Sequence, residues 1–151
     1  MSLARDPGFL RLLAGSHARL VGTPLLPEED DDAAQARWLY ESAPFCVLAH
    51  NTDADPRFVY ANKAAQARFE YGWDEFTTLP SRLSAEAPDR AERQRLLDAV
   101  TRDGFIGDYR GLRIAKSGRR FWIERATVWQ LIDEAGILRG QAAAFGEWRE
   151  V

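Results

Sequence analysis

The sequence has little cysteine, no long apolar run and no dense cluster of basic residues, and each shortage excludes a class of protein. Its single cysteine, Cys46, permits no intrachain disulfide, which suits a reducing compartment. Cys46 lies in the apolar run FCVLA, so we predict a buried, inert thiol. No apolar run approaches the roughly 18 residues of a membrane span. The N-terminal leucines are interrupted by Arg11, Gly15 and His17, which is not typical of a signal peptide. The sequence therefore predicts a cytoplasmic protein.

Motifs for catalysis and for nucleic-acid binding are also missing. The formal net charge is −3, and a nucleic-acid surface needs clustered Lys and Arg. There is no glycine-rich phosphate loop, CxxC or GxSxG motif, and no His–carboxylate spacing typical of zinc. The mixed charges of residues 89–98, among them Arg93, indicate a solvated helix face. We therefore predict no enzyme and no metal site.

The hydrophobic period and the turn residues predict an α+β fold. Helices are expected near residues 7–21, 33–42, 62–70, 73–78 and 89–103, the last capped by Asp89. Strands are expected near residues 45–50, 57–61, 108–115, 119–132 and 137–146. The acidic run that precedes the second helix is predicted to be solvated, and Pro88 limits helix formation over residues 80–88. Residues 1–31 form an N-terminal helical extension, and residues 32–151 form the main domain.

Residues 58–79, FVYANKAAQARFEYGWDEFTTL, combine a short strand, a helix capped by Asn62 and a second short helix. This arrangement resembles the opening of a PAS domain, and Glu70 departs from the pattern because that family usually has glycine there. The residues that fit are Tyr60, Asn62, Ala65, Phe69, Tyr71, Glu75 and Phe76. The resemblance implies a five-stranded antiparallel sheet with helices on one face, plus the two N-terminal helices.

More narrowly, the chain resembles the bacterial MEKHLA-domain proteins, a PAS-like family of standalone type. The resemblance covers roughly residues 39–148, and it is carried by LAHNTDADPRFVYAN, WDEFTTLPSRLSAEAPDRAERQRLL, RIAKSGRRFW, ATVW and GQAAAF. It implies a sensor or regulatory module that binds a small ligand between sheet and helices and signals through dimer contacts. Fold alone does not fix the ligand.

The resemblance extends to the flavin-binding light-oxygen-voltage branch of PAS domains, where Arg82 and Asp89 fit the pattern. The photoreactive cysteine of that branch falls on Ser81, and its flavin-reading amides fall on Arg113, Ile123 and Ala144. We therefore expect no flavin. Haem-binding relatives use a histidine on the long helix, and residues 89–103 contain none. His17 and His50 are expected to be structural, so the sequence predicts no cofactor.

Strand alternation predicts the ligand-facing residues of the sheet. In the expected register Arg113, Ile123, Arg125, Thr127 and Trp129 point into the cavity, with Phe69 and Arg82 nearby. The arginines require acceptors once desolvated. Internal pairing with Asp108, Glu75 or Glu86 is one interpretation, and an anionic ligand, such as a small acid, is the other.

Three functions remain open: a non-catalytic ligand sensor, an interaction module with a filled core, or an enzyme that uses the same cavity. The expected outer sheet face carries Trp122, Ala126 and Val128, an apolar patch that predicts a homodimer unless the chain's own helices cover it. Because the domain occupies the whole chain, we expect its output to pass through a separate effector protein.

Overall fold

The computed structural model describes residues 2–27, 31–86 and 89–151 and has one antiparallel sheet between two helical layers. Residues 28–30 of the acidic run and Pro88 lie outside the described residues. The helices are α1 (Pro7–Val21), α2 (Asp32–Glu41), α3 (Lys63–Phe69), α4 (Trp73–Phe76) and α5 (Arg90–Asp103), with a 3₁₀ turn at Ser81–Ser84. The strands are β1 (Cys46–His50), β2 (Phe58–Ala61), β3 (Phe105–Ile114), β4 (Arg120–Ile132), β5 (Leu138–Phe145) and β6 (Glu147–Glu150).

The strands follow the order β2-β1-β5-β4-β3, and β6 pairs with β4 beyond the end of β5. Every pairing is antiparallel. The α+β prediction is confirmed, and the sequence missed the short sixth strand. Gly146 separates β5 from β6, and both strands pair with β4, at Thr127–Ile132 and Phe121–Glu124.

The N-terminal helices cover the outer face of the sheet, opposite α3, α4 and α5. Asp6 caps α1, because its carboxylate accepts the Phe9 N–H at 3.0 Å. Leu13 and Trp129 lie in the core that joins α1 to β4, and the Trp129 indole N–H donates to the Leu13 carbonyl at 3.2 Å. The chain's own helix therefore covers this face.

A buried asparagine joins four segments of the chain. The Asn62 side-chain oxygen accepts the backbone N–H groups of Val47 and Ala65, at 3.0 and 3.1 Å. Its amide donates to the carbonyls of Leu39 and Phe45, at 3.0 and 2.9 Å. The predicted helix cap is thus confirmed, and the same side chain also ties α2 and the entrance of β1 to α3.

A β-bulge at Arg125 overturns the predicted register of β4. Arg125 has a φ of 51°, and two residues of β4 oppose one residue of β3 at this point. The extra residue reverses the alternation, so Ala126 and Val128 face the inner helical layer while Trp129 faces α1. The expected outer apolar patch does not form, which removes the basis of the homodimer prediction.

The predicted Asp89 cap needs correction, and the glutamate at position 70, where the related pattern has glycine, needs a physical explanation. Asp89 occupies the first position before α5, but its side chain makes no capping hydrogen bond. Glu70, which stands where the related pattern has glycine, adopts the left-handed conformation with a φ of 67°. Its carboxylate accepts the Ser117 N–H at 3.0 Å, which helps to offset the strain of that conformation.

Cys46 is buried as predicted, and burial raises the pKa of its thiol to about 12.

Replacing Asn62 tests whether its side chain joins four segments of the chain or only caps α3. Asn62→Ala leaves four buried backbone groups without partners, so we expect a loss of at least about 3 kcal/mol in the free energy of unfolding, measured by urea titration. Asn62→Asp, which would preserve a simple cap, should also destabilise strongly, because it loses both donors and buries a charge. Asp31→Asn at the N-cap of α2 is the control, with an expected change below about 0.5 kcal/mol. A near-neutral Asn62→Asp would contradict the junction.

The buried His17 predicts a dependence of stability on pH. Its Nδ1 lies 2.8 Å from the Thr23 carbonyl, its ring packs edge-on against Trp129, and burial lowers its pKa below the ordinary 6.5. The unfolded chain therefore takes up a proton more readily, and the free energy of unfolding should decrease as the pH falls below about 6.5. His17→Gln should flatten this decrease in urea titrations between pH 5.5 and 7.5. His50→Gln is the comparison, since burial lowers the pKa of His50 as well. An unchanged slope in His17→Gln would show that His17 protonates freely in the folded state.

Candidate ligand-binding site

A small cavity lies between the inner face of the sheet and the helices α3 and α5. Its volume is about 50 Å³. Most of the lining is apolar, and the polar side chains are few. The apolar residues are Leu48, Phe58, Phe69, Leu96, Leu97, Ile123, Val128, Ala142, Ala143 and Phe145, and the polar ones are His50, Ser84, Arg93, Tyr109, Arg113 and Gln141. An apolar cavity with a few convergent polar groups is typical of ligand sites.

Arg113 reaches this cavity from β3, as the sequence predicted, and it is 7% exposed. Its Nη1 donates to the Leu112 carbonyl at 2.8 Å, and its Nη2 donates to the Tyr109 hydroxyl at 3.3 Å. That hydroxyl donates in turn to Glu92 Oε2 at 2.9 Å. A side chain at Gly111 would collide with the Tyr109 ring and hydroxyl, so glycine there leaves room for this chain of hydrogen bonds. Arg113 keeps further N–H donors for a ligand.

Arg93 is a second cavity arginine, which the sequence analysis placed on a solvated face. It is also 7% exposed, and it projects from α5 toward the sheet. Spacing contained the signal, because Arg93 precedes the core residues Leu96 and Val100 by three and seven positions and so shares their helix face. Among the described residues, no protein acceptor forms a hydrogen bond with its side chain.

The two guanidinium groups make the cavity electropositive. Within residues 2–27, 31–86 and 89–151, no carboxylate lies within 4 Å of either group. Two of the expected internal partners are engaged elsewhere, Glu75 with Lys116 and Glu86 with Arg120, and the third, Asp108, is exposed. Burial, together with the charge of Arg113, lowers the pKa of Arg93 from 12.5 to about 10. The site is therefore suited to an anion.

A polar boundary separates the cavity from an outer cleft of about 450 Å³. His50, Arg93, Leu97 and Gln141 line both spaces, so these four residues form the wall that the cavity and the cleft share. His50 and Gln141 face each other across β1 and β5. Gly140 permits this close approach, since a side chain there would overlap the His50 carbonyl.

The structure brings three of the predicted site residues to the cavity, Arg113, Ile123 and Phe69. Arg82 is half exposed, pairs with Asp55 at 3.1 Å and lines the outer cleft instead. The bulge turns the remaining three away. Arg125 is exposed and lies 3.7 Å from Glu147, Trp129 packs under α1, and Thr127 lies on the face opposite Val128. The predicted ligand contacts of Arg125, Thr127 and Trp129 are therefore wrong.

In the described part of the chain, no group of three or more His, Cys, Asp or Glu side chains is placed to hold a metal ion. None of its helices combines the length and apolar character needed to cross a membrane.

The order of the strands and the inner cavity define a PAS-like α+β domain. The MEKHLA domain family model matches residues 8–150, and the chain belongs to the MEKHLA-domain family. It therefore belongs to a family of PAS-like sensory domains, a class that is generally non-enzymatic. No curated protein sequence matches.

Solved structures support the same fold. The PAS domain of a protein from Colwellia psychrerythraea has a TM-score of 0.65 at 15% identity, over 80% of this chain and 98% of that one. An RNA-binding light-oxygen-voltage receptor has a TM-score of 0.65 at 21% identity, over 80% of this chain but only 33% of the receptor. A light-oxygen-voltage domain studied with a flavin analogue has a TM-score of 0.57 at 16% identity, over 70% of this chain and 76% of that domain. At these identities the similarity shows the fold alone.

The two like charges in the cavity predict that removing one of them stabilises the ligand-free protein. Arg93→Met removes a desolvated cation that faces another cation, and it keeps much of the apolar stem. We expect the free energy of unfolding of the ligand-free protein to rise by about 1–3 kcal/mol, measured by urea titration. Arg95→Met, an exposed change on the same helix, should alter it by less than about 0.5 kcal/mol. Destabilisation by Arg93→Met alone would mean that this guanidinium is satisfied in the ligand-free fold.

Proposed function

We propose that this protein is a non-catalytic sensor that binds a small carboxylate in the cavity between α5 and the sheet. One observation carries the proposal: Arg93 and Arg113 are both 93% buried in the same cavity lining, with no carboxylate partner among the described residues. Buried cations without partners are costly, and function is the usual reason to retain them. A carboxylate would accept charge-assisted hydrogen bonds from both arginines.

The size of the cavity limits the acid. One water needs about 10–15 Å³ on the same measure, so about 50 Å³ corresponds to three to five waters. An acid of roughly three to six heavy atoms fits that space, with its carboxylate at the arginines and its carbon atoms against the apolar lining.

The rival functions have less support. The enzyme hypothesis requires a carboxylate base beside the arginines, and Glu92 is reached only through the Tyr109 hydroxyl. The interaction-module hypothesis requires a filled core, whereas the lining here encloses a cavity with two charged groups. Ligand binding accounts for both features.

Acid binding would link two elements that repel each other when the site is empty. Arg93 belongs to α5 and Arg113 to β3, and a shared carboxylate neutralises the repulsion between them. The ligand therefore favours the arrangement in which α5 lies close to the sheet, which is the differential interaction that a sensor needs. A separate effector protein that contacts α5 would read this shift.

Calorimetric titration with acetate, propionate and isobutyrate tests the proposal. We expect binding by the wild type, and Arg113→Met or Arg93→Met should weaken each acid by about ten- to a hundredfold, since a hydrogen bond to a charged group contributes roughly 1.5–3 kcal/mol. Acetamide and propionamide, the neutral counterparts, should bind at least tenfold more weakly than the acids.

Two matched controls separate cavity arginines from surface charge. Arg95→Met lies on the exposed side of α5, and Arg125→Met removes the arginine that the bulge turns outward. Both variants should bind the acids as the wild type does. Equal weakening by Arg95→Met and Arg93→Met, or no heat from any acid with folded wild-type protein, would contradict the proposal.

A further inference from the structure

Two buried acceptor atoms at the boundary of the cavity lack partners. Nε2 of His50 and Oε1 of Gln141 are inaccessible to solvent, and within the described part of the chain neither receives a hydrogen bond. Both side chains line the cavity together with Arg93, and they lie opposite each other across β1 and β5. Buried polar atoms are nearly always paired in folded proteins, so an unpaired couple in a cavity wall indicates a missing donor.

The orientation of the Gln141 amide is fixed by its neighbours. Its nitrogen lies 3.3 Å from the Leu97 carbonyl and 3.1 Å from the Thr101 hydroxyl oxygen. The Leu97 carbonyl can only accept, and the Thr101 hydroxyl already donates to that same carbonyl at 3.0 Å. The amide nitrogen must therefore face α5, and exchanging the two atoms of the amide would lose both hydrogen bonds. The oxygen is left as the acceptor without a partner.

The tautomer of His50 follows from the same reasoning. Its Nδ1 lies 3.0 Å from the carbonyl of Asn51, which can only accept, so Nδ1 carries the proton. Burial, assisted by the charge of Arg93, lowers the pKa of His50 against the opposing effect of the hydrogen bond to Asn51, and this shift favours the neutral ring. Nε2 therefore presents a lone pair and no hydrogen.

We propose that the ligand is a short hydroxy acid, with its carboxylate on Arg93 and Arg113 and its hydroxyl donating to His50 Nε2 or Gln141 Oε1. This inference rests on the proposed function and specifies the acid. The residues that line one cavity provide two cationic donor groups, on Arg93 and Arg113, and two acceptor atoms without partners, on His50 and Gln141. The carboxylate of a hydroxy acid would accept from the donors, and its hydroxyl would donate to one of the acceptors. A dihydroxy acid would satisfy both acceptors at once.

The charge of the site favours a hydroxyl over an ammonium as the donor. Arg93 faces His50 from α5, Arg113 lies on the sheet side, and no carboxylate of the described residues lies within 4 Å of either arginine. A second cation on the ligand would add to this positive potential, whereas a neutral hydroxyl would not. Hydroxy acids should therefore bind more tightly than amino acids of the same size.

Two pairs of nearly isosteric acids test the hydroxyl. Glycolate replaces a methyl group of propionate by a hydroxyl, and lactate does the same to isobutyrate. Calorimetric titration of the wild-type protein should give at least about tenfold tighter binding for the hydroxy acid of each pair, because the simple acid leaves the acceptors bare. Glycine in place of glycolate should lose that advantage.

Variants at the acceptors locate the effect. His50→Phe and Gln141→Met keep much of the side-chain volume and remove the acceptor, so together they should reduce the glycolate-to-propionate preference to about one, whatever the change in the affinity for propionate itself. Nitrogen NMR supplies a readout independent of affinity: glycolate, but not propionate, should shift the His50 Nε2 resonance in the direction of an acceptor that gains a hydrogen bond. Arg113→Met should weaken both acids equally.

The outcomes separate the two proposals. Binding of propionate and glycolate with equal affinity would overturn the hydroxy-acid inference and leave the acid sensor standing. Equal weakening of both acids in folded His50→Phe, with their affinity ratio unchanged, would also overturn it. Failure of every acid to bind the folded wild-type protein would contradict the acid sensor itself.

Discussion

One buried asparagine holds the fold together at the point where its helical and sheet layers meet. Asn62 satisfies backbone groups of Leu39, Phe45, Val47 and Ala65, which belong to α2, the entrance of β1, β1 itself and α3. Three of these contacts are buried and the one to Phe45 is partly buried, so each group would be costly if left unpaired. This junction fixes where α3 leaves the sheet, and α3 supplies Phe69, part of the cavity wall.

The opposite wall depends on a local irregularity. The bulge at Arg125 divides β4 into two parts with opposite alternation, so Ile123 faces the cavity before it and Val128 faces α5 after it. The same shift places Trp129 under α1, where its indole closes the outer core. One extra residue thus supplies both layers with large apolar side chains from a single strand, and it removes the charge of Arg125 from the interior.

The sequence predicted the elements well because their signals are local. Hydrophobic period, the Asn62 cap and two glycine turns placed the five α-helices and five of the strands of the described residues within a few residues, but not the 3₁₀ turn at Ser81–Ser84. The predicted orientation of the β4 side chains was wrong, because a positive φ at an arginine has no signature in the sequence. One extra residue then reverses the direction of every later side chain in the strand. Arg93 was missed for another reason. Its charge indicated a solvated residue, although it shares the helix face of the core residue Leu96 and an arginine stem can be buried. His50 and Gln141 became a pair only through strand register, which no short motif encodes.

The cavity is where the sequence departs from the rules that stabilise the rest of the chain. The other buried arginine of the described residues, Arg68, reaches a carboxylate, Glu150, at 2.8 Å, and the half-exposed Arg82 reaches Asp55. Arg93 and Arg113 instead face each other, and two acceptors beside them lack donors. A fold that stabilised itself alone would place an acid or an apolar side chain here. Interactions that these groups do not make in the empty fold can be made with a ligand. Such a ligand would carry the missing negative charge and the missing hydrogen-bond donor. In the proposed sensor, the same groups that weaken the empty domain define what it recognises.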